Sequence, residues 1–237
     1  MIKNKVRNLS FLYLSLVFAT FSCTKNTKEI SYLKPSSYYP LEIGNSYIYE
    51  VDSIVFNDFD QSVDTFKFQI IESYTDTFRD IYNELAYKIE RKKRNKIQLN
   101  EYEAWGNPQI WWVNLAKNQS IQRVENNLRF VNLVTPIQND FSWKGNAFNL
   151  LAEWDFRYAR VNESFKNFDS TLTVIQREIP ENLILKEYYE QKFAKNIGLI
   201  YYHFINVESK NNLSIPLMQR IENGVIYTQK LIQYNLN

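Results

Sequence analysis

The fold is decided by a stretch in which apolar and polar residues alternate, SYIYEVDSIVF at residues 46–56. Tyr47, Tyr49 and Val51 occupy every second position, and the charged Glu50 stands between two of them. Successive side chains of a strand point to opposite faces, so a period of two separates a buried face from a solvated one. The stretch therefore predicts a half-buried β-strand.

The same period of two recurs outward from this strand along the chain. Further strands are predicted at residues 65–73, 85–93, 96–105, 110–115, 120–125, 128–134, 154–161, 170–178, 185–193, 199–208 and 226–234. Arg94-Asn95 is predicted to form a hairpin turn, and residues 76–85 and 148–154 to form short helical turns. We expect an all-β fold: an antiparallel, strongly curved sheet (half-barrel, barrel-like or sandwich) with at most one or two short helices.

The amino-acid composition supports an all-β fold. Tyr 17, Phe 16 and Trp 5 bring the aromatic share to 16%, whereas Gly and Pro number only 5 and 6. Rings and β-branched residues fit a pleated, half-buried surface. The 45% of hydrophobic and 23% of charged residues exclude disorder along the whole chain. Because Cys and His each occur once, we exclude an intrachain disulfide, a Cys-rich metal site and a two-histidine site, and predict no cofactor.

The first 22 residues have the features of a signal peptide. Lys3, Lys5 and Arg7 give a positive start, and residues 9–21 form an uncharged, largely apolar run. At ~1.5 Å rise per residue, a helix of this length spans about 20 Å, less than the roughly 30 Å of a bilayer core. The run is therefore interpreted as the apolar region of a signal peptide and not as a permanent membrane anchor.

The single cysteine follows this run directly. A small residue before a cysteine, here Ser22 before Cys23, resembles the bacterial lipobox, at which the Cys thiol is diacylated and becomes the mature N-terminus. Thr20 and Phe21 replace the Leu and small residue of the usual box, and the resemblance implies the looser boxes of the Bacteroidota. We predict lipidation of Cys23. An ordinary secretory signal with a coincidental cysteine is the alternative.

The chain is expected to have three parts. Residues 1–22 are the lipoprotein signal peptide, residues 23–34 the lipidated Cys23 and a polar tether, and residues 35–237 a single β domain. Neither an internal repeat nor a linker-like segment interrupts the third part. Removing the three positive charges of the leader from the formal net charge of +2 leaves −1, too small a charge to predict a nucleic-acid partner.

The tether favours one orientation at the membrane. Surface-exported lipoproteins of the Bacteroidota often have acidic residues just after the cysteine. Here Lys25 and Lys28 accompany the single acidic residue Glu29. We therefore expect an outer-membrane anchor that faces the periplasm, with the membrane contacted through the N-terminal lipid.

Few residues are candidates for catalysis. His203 lies within a predicted strand, the sequence contains no G-x-S-x-G motif, and this histidine is interpreted as a strand-face histidine. Glu101 with Glu103, and Glu187 with Glu190, are the carboxylate pairs that an acid-residue hydrolase of envelope glycans could use, provided that they face each other at about 5–10 Å. Solvated strand faces explain both pairs as well, so we predict no enzyme and keep the hydrolase as the alternative.

Two further patterns concern binding. Trp111 and Trp112 must point to opposite faces of a strand, which places one of them in the core. The basic run RKKRNK at residues 91–96 would direct its charges to both faces of a hairpin, unlike the continuous stripe that follows a nucleic-acid backbone.

Three segments resemble a family of uncharacterised, β-rich lipoproteins of the Bacteroidota. YPLEIGNSYIYE at residues 39–50 is similar to the opening segment of the mature domain in many of its members. NLRF at 127–130 with WKGNAFN at 143–149 resembles the middle of these proteins, and AKNIGLIY at 194–201 a turn into a late strand. The family has no agreed activity, so the resemblance implies an envelope lipoprotein and no catalytic residues.

These observations predict a non-catalytic envelope lipoprotein. Its expected role is to bind a lipid or another apolar ligand, or an envelope partner, because a curved sheet with an apolar concave face suits acyl chains.

Overall fold

The structure, a computed structural model, describes residues 33–99 and 101–237. Its thirteen strands are β1 (Ser46–Phe56), β2 (Val63–Arg79), β3 (Leu85–Gln98), β4 (Glu101–Tyr102), β5 (Gln109–Leu115), β6 (Ile121–Glu125), β7 (Leu128–Leu133), β8 (Ser142–Lys144), β9 (Asp155–Phe165), β10 (Phe168–Ile179), β11 (Leu185–Ala194), β12 (Gly198–Glu208) and β13 (Asn223–Asn235). Pro35–Ser37 and Leu217–Gln219 form short 3₁₀ turns, and no α-helix occurs in the described ranges. The all-β prediction is confirmed.

The strands form one antiparallel sheet. Its order is β7-β6-β5-β3-β2-β1-β13-β12-β11-β10-β9-β8, and β4 pairs with β3 off this path. At the centre of the order the first strand pairs with the last, so that Ser46 lies opposite Asn235 and Phe56 opposite Gly224. The β1–β13 pair thus joins a half built from residues before 134 to a half built from residues after 141.

The two outermost strands of the order also meet. The Val131 backbone N–H of β7 donates a 2.7 Å hydrogen bond to the Gly145 carbonyl just after β8. The indole N–H of Trp143 donates to the Val131 carbonyl, also at 2.7 Å. A third bond, from the Asn149 side-chain amide to the Arg129 carbonyl, measures 2.9 Å. These bonds pair groups that a sheet edge would otherwise expose. Among the expected forms, the sheet is therefore a nearly closed barrel.

One end of this barrel is filled by the chain that precedes β1. Tyr38 and Tyr39 are buried, and the Tyr39 ring lies 5.9 Å from the ring of Phe193. The Asn196 N–H donates to the Ser37 carbonyl at 2.6 Å and fixes this segment to the turn after β11. We call this the closed end. The turns that follow β1, β3, β6, β10 and β12 lie at the opposite end, which we call the open end.

Rings dominate the core of the barrel. The largest fully buried side chains include Tyr49, Phe156, Tyr158 and Phe193. The Tyr158 hydroxyl accepts a bond from the Val134 N–H at 2.7 Å and donates to the Val134 carbonyl at 2.6 Å. Buried tyrosines need such partners, because an unpaired hydroxyl loses its hydration without compensation. The aromatic-rich composition is thus explained by interior packing.

Two local predictions are wrong. Arg94-Asn95 does not form a turn, because β3 continues through both residues and pairs them with Gln69 and Phe68 of β2. The helical turn predicted at 76–85 is instead the end of β2, a turn and the start of β3. Pairing with neighbouring strands overrides the local turn and helix preferences at both places. The predicted turn at 148–154 lies in irregular chain between β8 and β9.

The predicted N-terminal parts lie mostly outside the described residues. These are the signal peptide at 1–22, Cys23, and the tether at 23–34 except for its last two residues. The residues that are described belong to one compact unit. Within it, no helix is long and apolar enough to cross a bilayer.

Candidate functional site

A cavity of about 380 Å³ opens at the open end of the barrel. We call it the main cavity. It is lined by Phe68, Ile70, Arg91, Lys92, Lys93, Gly106, Asn107, Gln109, Trp111, Asn126 and Tyr227. Small-molecule sites are usually clefts of about 300–1,000 Å³ with mostly apolar walls and a few polar groups. The main cavity has this size, and its lining combines four apolar or aromatic side chains with six polar or charged ones.

Strand register places the lining residues inside the barrel. Ile70 of β2 lies opposite Lys93 of β3, and Ile89 of β3 lies opposite Trp111 of β5. Directly opposed residues of paired strands share a face. Ile70, Ile89 and Trp111 are buried, so this face is the inner one and Lys93 belongs to it. Arg91, two residues before Lys93, shares the same face.

An ion-pair network lies beneath the main cavity, closer to the closed end. Glu72 is only 1% exposed and accepts a 2.7 Å bond from Arg123, which is 4% exposed, as well as a bond from Arg91. Arg123 Nε also lies 2.6 Å from a carboxylate oxygen of Glu125. Both guanidinium groups lie over the Trp111 ring, at 4.3 Å for Arg91 and 4.9 Å for Arg123. Two arginines therefore balance two glutamates around one indole.

The network keeps its carboxylate ionised. Burial by itself would raise the pKa of Glu72, but the positive charges of Arg123 and Arg91 outweigh burial and hold the pKa below its usual value. Burial by itself would lower the pKa of Arg123, but Glu72, Tyr39 and Glu125 together outweigh burial and raise the pKa well above its ordinary value. The floor of the cavity is therefore charged at neutral pH but electrically balanced.

A row of stacked rings supports the Tyr227 side of the main cavity. Tyr189 of β11 stacks on Phe204 of β12 with centroids 5.0 Å apart and planes 9° apart, and Phe204 stacks on Tyr227 of β13 at 5.0 Å and 14°. Burial raises the pKa of Tyr227 to about 12, so this ring faces the main cavity as a neutral phenol. The row spans three neighbouring strands and fixes the orientation of the Tyr227 ring.

A second cavity of about 160 Å³ is lined in part by Tyr189, at the far end of this row. Its lining residues are Glu125, Phe130, Asn132, Trp154, Phe156, Gln176, Tyr189, Gln191 and Tyr202. Tyr202 contacts Tyr227 of the main cavity, with centroids 5.7 Å apart. The side-chain oxygen of Gln191 is buried and has no hydrogen-bond partner among the described residues. The contact between Tyr202 and Tyr227 thus links the second cavity to the main cavity.

The predicted carboxylate pairs lie elsewhere. Glu187 and Glu190 are three residues apart in a strand whose pairing with β12 is regular between them, so they face opposite sides of the sheet. Glu187 pairs with Arg177, and Glu190 lies 2.9 Å from the ammonium of Lys192. Each carboxylate therefore has a structural cation as its neighbour.

Glu101 and Glu103 lie beside the end of β3 near the open end. Glu101 accepts a bond from the Gln98 side chain, and Glu103 accepts one from the Asn95 side chain at 2.8 Å. The lining of the two cavities contains neither residue. The structure brings neither predicted pair into a described cavity.

His203 lies on the outer face of β12. Its Nδ1 is 2.9 Å from the Tyr227 carbonyl and 3.0 Å from the Thr228 hydroxyl. Burial lowers the pKa of its imidazole, which favours the neutral form. These contacts agree with its interpretation as a strand-face histidine.

The two predictions about binding patterns are confirmed in part: the tryptophans and the basic charges divide between the two faces, but the basic run lies within the continuous strand β3 and not in a hairpin. Trp111 is buried in the barrel, whereas Trp112 packs outside against Phe78 with ring centroids 5.7 Å apart. The basic run at 91–96 also divides between the faces: Lys93 points inward, and Arg94 lies outside, 4.2 Å over the Trp105 ring.

Sequence reasoning did not identify Arg91 and Lys93 as cavity residues. The sequence contained a pattern that could have identified them, because Ile89, Arg91 and Lys93 occupy every second position of β3 and therefore share its inner face. The predicted turn at Arg94-Asn95 concealed it by ending the strand near this point.

Fold and site together define an antiparallel, nearly closed β-barrel with ring-lined cavities at one end. No protein-family model matches the chain, and no curated protein matches it. Among solved structures, the chain is similar to a candidate exported protein of Bacteroides fragilis described as having a YmcC-like fold. The identity is 8% and the TM-score 0.40, over 84% of this chain and 99% of that one. A similarity this distant assigns no family.

Proposed function

We propose that the protein is a non-catalytic lipoprotein of the cell envelope that binds an apolar ligand in the main cavity. The main cavity is the observation that supports this function, because it is a chamber of about 380 Å³ at the open end whose lining includes the rings of Phe68, Trp111 and Tyr227. In this proposal the acylated Cys23 anchors the protein to the outer membrane, with the barrel on the periplasmic side.

The walls explain how such a ligand would be stabilised. Each Å² of apolar surface that leaves water contributes about 25 cal/mol, so a chain buried against three rings gains several kcal/mol. The stacked row of Tyr189, Phe204 and Tyr227 is held by three paired strands. A preformed wall reduces the ordering cost that binding would otherwise incur.

The anchor is tested by the mass of the mature chain. We expect protein extracted from membranes to begin at Cys23 and to have acyl mass added to it, because each buried CH₂ of an acyl chain contributes about 0.8 kcal/mol to membrane binding. Cys23→Ala should move the protein to the soluble fraction. Ser22→Ala keeps a small residue before the cysteine and should leave both mass and partition unchanged. A chain that begins elsewhere, without added mass, contradicts the proposal.

Ligand binding is tested by native mass spectrometry of the full chain, purified from the envelope in an amphipathic polymer without detergent. We expect a retained small-molecule mass. Gln109→Trp should abolish it, because Gln109 lines the main cavity and an indole at this position would fill the space. Gln233→Trp is the matched control: Gln233 is exposed on β13 opposite Ile48, away from the cavity, and the variant should retain the mass.

Two results would contradict a ligand-binding function. One is wild-type protein that is free of any small-molecule mass after this purification. The other is a mass that Gln109→Trp and Gln233→Trp retain equally, because such a ligand would lie outside the main cavity.

A further inference from the structure

We infer that the ligand of the main cavity is a single-chain amphiphile with an anionic oxygen head, and that Lys93 holds this head at the mouth. The inference rests on the proposed function and deepens it, since it names the chemical class of the ligand and the residue that recognises it. It follows from the distribution of charge in the cavity, from the position of Lys93 and from the shape of the walls.

Of the four cations in and beneath the main cavity, three lie next to a carboxylate of the described residues. Arg91 and Arg123 are matched by Glu72 and Glu125 in the network beneath the cavity. Lys93 forms no ion pair within the part of the chain that the structure describes; its ammonium lies 4.0 Å over the ring of Phe68. One positive charge therefore remains for a ligand to neutralise.

The rest of the lining also favours an anion. None of the eleven lining residues is Asp or Glu. Lys92, the third cation of the lining, has its ammonium 3.9 Å from the Glu90 carboxylate. Beside Lys93 the lining contributes the neutral amides of Asn107 and Gln109, which can donate hydrogen bonds to a head group. A cationic head would meet Lys93 with no nearby carboxylate to compensate it.

The position of Lys93 sets the direction of the ligand. Lys93 is exposed, whereas its cross-strand neighbour Ile70 and the indole of Trp111, further towards the closed end, are buried in the same cavity. A head bound at Lys93 thus lies at the mouth in partial contact with water, and its chain extends inward past Ile70 towards Trp111. A lysine stem that packs on an apolar wall with its ammonium towards water is well suited to this arrangement. The volume of about 380 Å³ favours one chain over several.

The test uses four probes with the same twelve-carbon chain and different heads: dodecanoate, dodecyl phosphate, dodecanol and dodecyltrimethylammonium. Each is added to the full-length protein in the amphipathic polymer, and the bound fraction is measured by native mass spectrometry. The fraction bound to Gln109→Trp measures binding outside the main cavity, and this fraction is subtracted from that of the wild type. We expect at least one of the two oxyanion probes to bind roughly tenfold more tightly than dodecanol, as one charge-assisted contact allows, and dodecyltrimethylammonium to bind most weakly. Whether dodecanoate or dodecyl phosphate binds more tightly distinguishes a carboxylate head from a phosphate head.

Two variants assign the preference to Lys93. Lys93→Gln should remove the tenfold preference and leave dodecanol binding unchanged, because the chain-binding walls are intact. Lys67→Gln is the control, because it removes the same charge from β2 one residue before Phe68. The Lys67 ammonium lies 3.6 Å from Asp52, so this variant should keep the preference for oxyanion probes over dodecanol. Equal binding of dodecanol and both oxyanion probes, or a preference that survives Lys93→Gln, overturns the head assignment while the ligand-binding function stands. If no probe shows binding that Gln109→Trp abolishes, the proposed function fails as well.

Discussion

Glu72→Gln is expected to lower the free energy of unfolding by about 3–5 kcal/mol, as loss of one partner from a buried ion pair does. The substitution keeps the size of the side chain but removes its charge. Arg123, which is 4% exposed, would then retain only Glu125 as an acidic partner, and Arg91 would lose its own. Urea unfolding at pH 7 measures the effect.

The control for this prediction is Glu101→Gln. Glu101 is exposed at the open end and its carboxylate accepts a bond from the Gln98 side chain, so its loss should change the free energy of unfolding by less than about 0.5 kcal/mol. Equal urea midpoints for Glu72→Gln and wild type would show that the network does not stabilise the barrel.

The same carboxylate predicts a pH dependence. The folded-state pKa of Glu72 is lowered from the ordinary value of 4.5, so the unfolded chain binds the proton more readily than the folded one. The resulting stability is fully present above pH 4.5 and is lost as the pH falls through the folded-state pKa. Wild-type stability should therefore fall more steeply below pH 4.5 than that of Glu72→Gln.

Gly224→Ala is expected to destabilise the barrel by about 3 kcal/mol or more, from backbone strain and overpacking together. Gly224 has a φ of +124°, which disfavours any residue with a side chain. An added Cβ would also overlap the carbonyl oxygen of Asn206 and lie 2.7 Å from the Cα of Val207. Both neighbours are backbone atoms of β12, so relief requires the strands to move apart.

Gly198→Ala separates the two causes. Gly198 has a similar φ of +112°, but an added Cβ would meet no atom closer than 3.7 Å. Its substitution should therefore lower the free energy of unfolding only by the backbone strain, about 1–3 kcal/mol. Thermal unfolding of the two variants side by side measures the difference, and equal losses would show that the close approach of β12 contributes nothing.

The strands could be predicted where their two faces differ. Residues 46–56 were predicted as a strand from their alternation, and β1 has the same bounds, because one face of it packs in the core and the other meets solvent. Near Arg94 the alternation of apolar and polar residues does not reveal the strand. Both faces of β3 are polar at the open end, so the local sequence pattern resembles a turn. Only pairing with Gln69 and Phe68 shows that the strand continues.

The site was harder to predict than the fold, because it depends on which strands are neighbours. Glu72 and Arg123 are 51 residues apart, and their contact requires β2, β3, β5 and β6 to lie in this order. Tyr227 reaches the main cavity only because β13 pairs with β1. No local period contains this information. The open-end cavity and its Lys93, which has no ion pair among residues 33–99 and 101–237, therefore emerge from the topology and not from a motif.

The pairing of β1 with β13 also governs when the chain can fold. β1 is synthesised first among the strands and its partner last, so the centre of the sheet stays incomplete until residues 223–235 are available. Contacts between segments so distant in sequence make folding slow. Throughout that interval β1 presents a long unpaired edge with aromatic side chains, the kind of surface that promotes aggregation. We therefore expect the chain to aggregate most readily before residues 223–235 are available, when β1 has no partner along this edge.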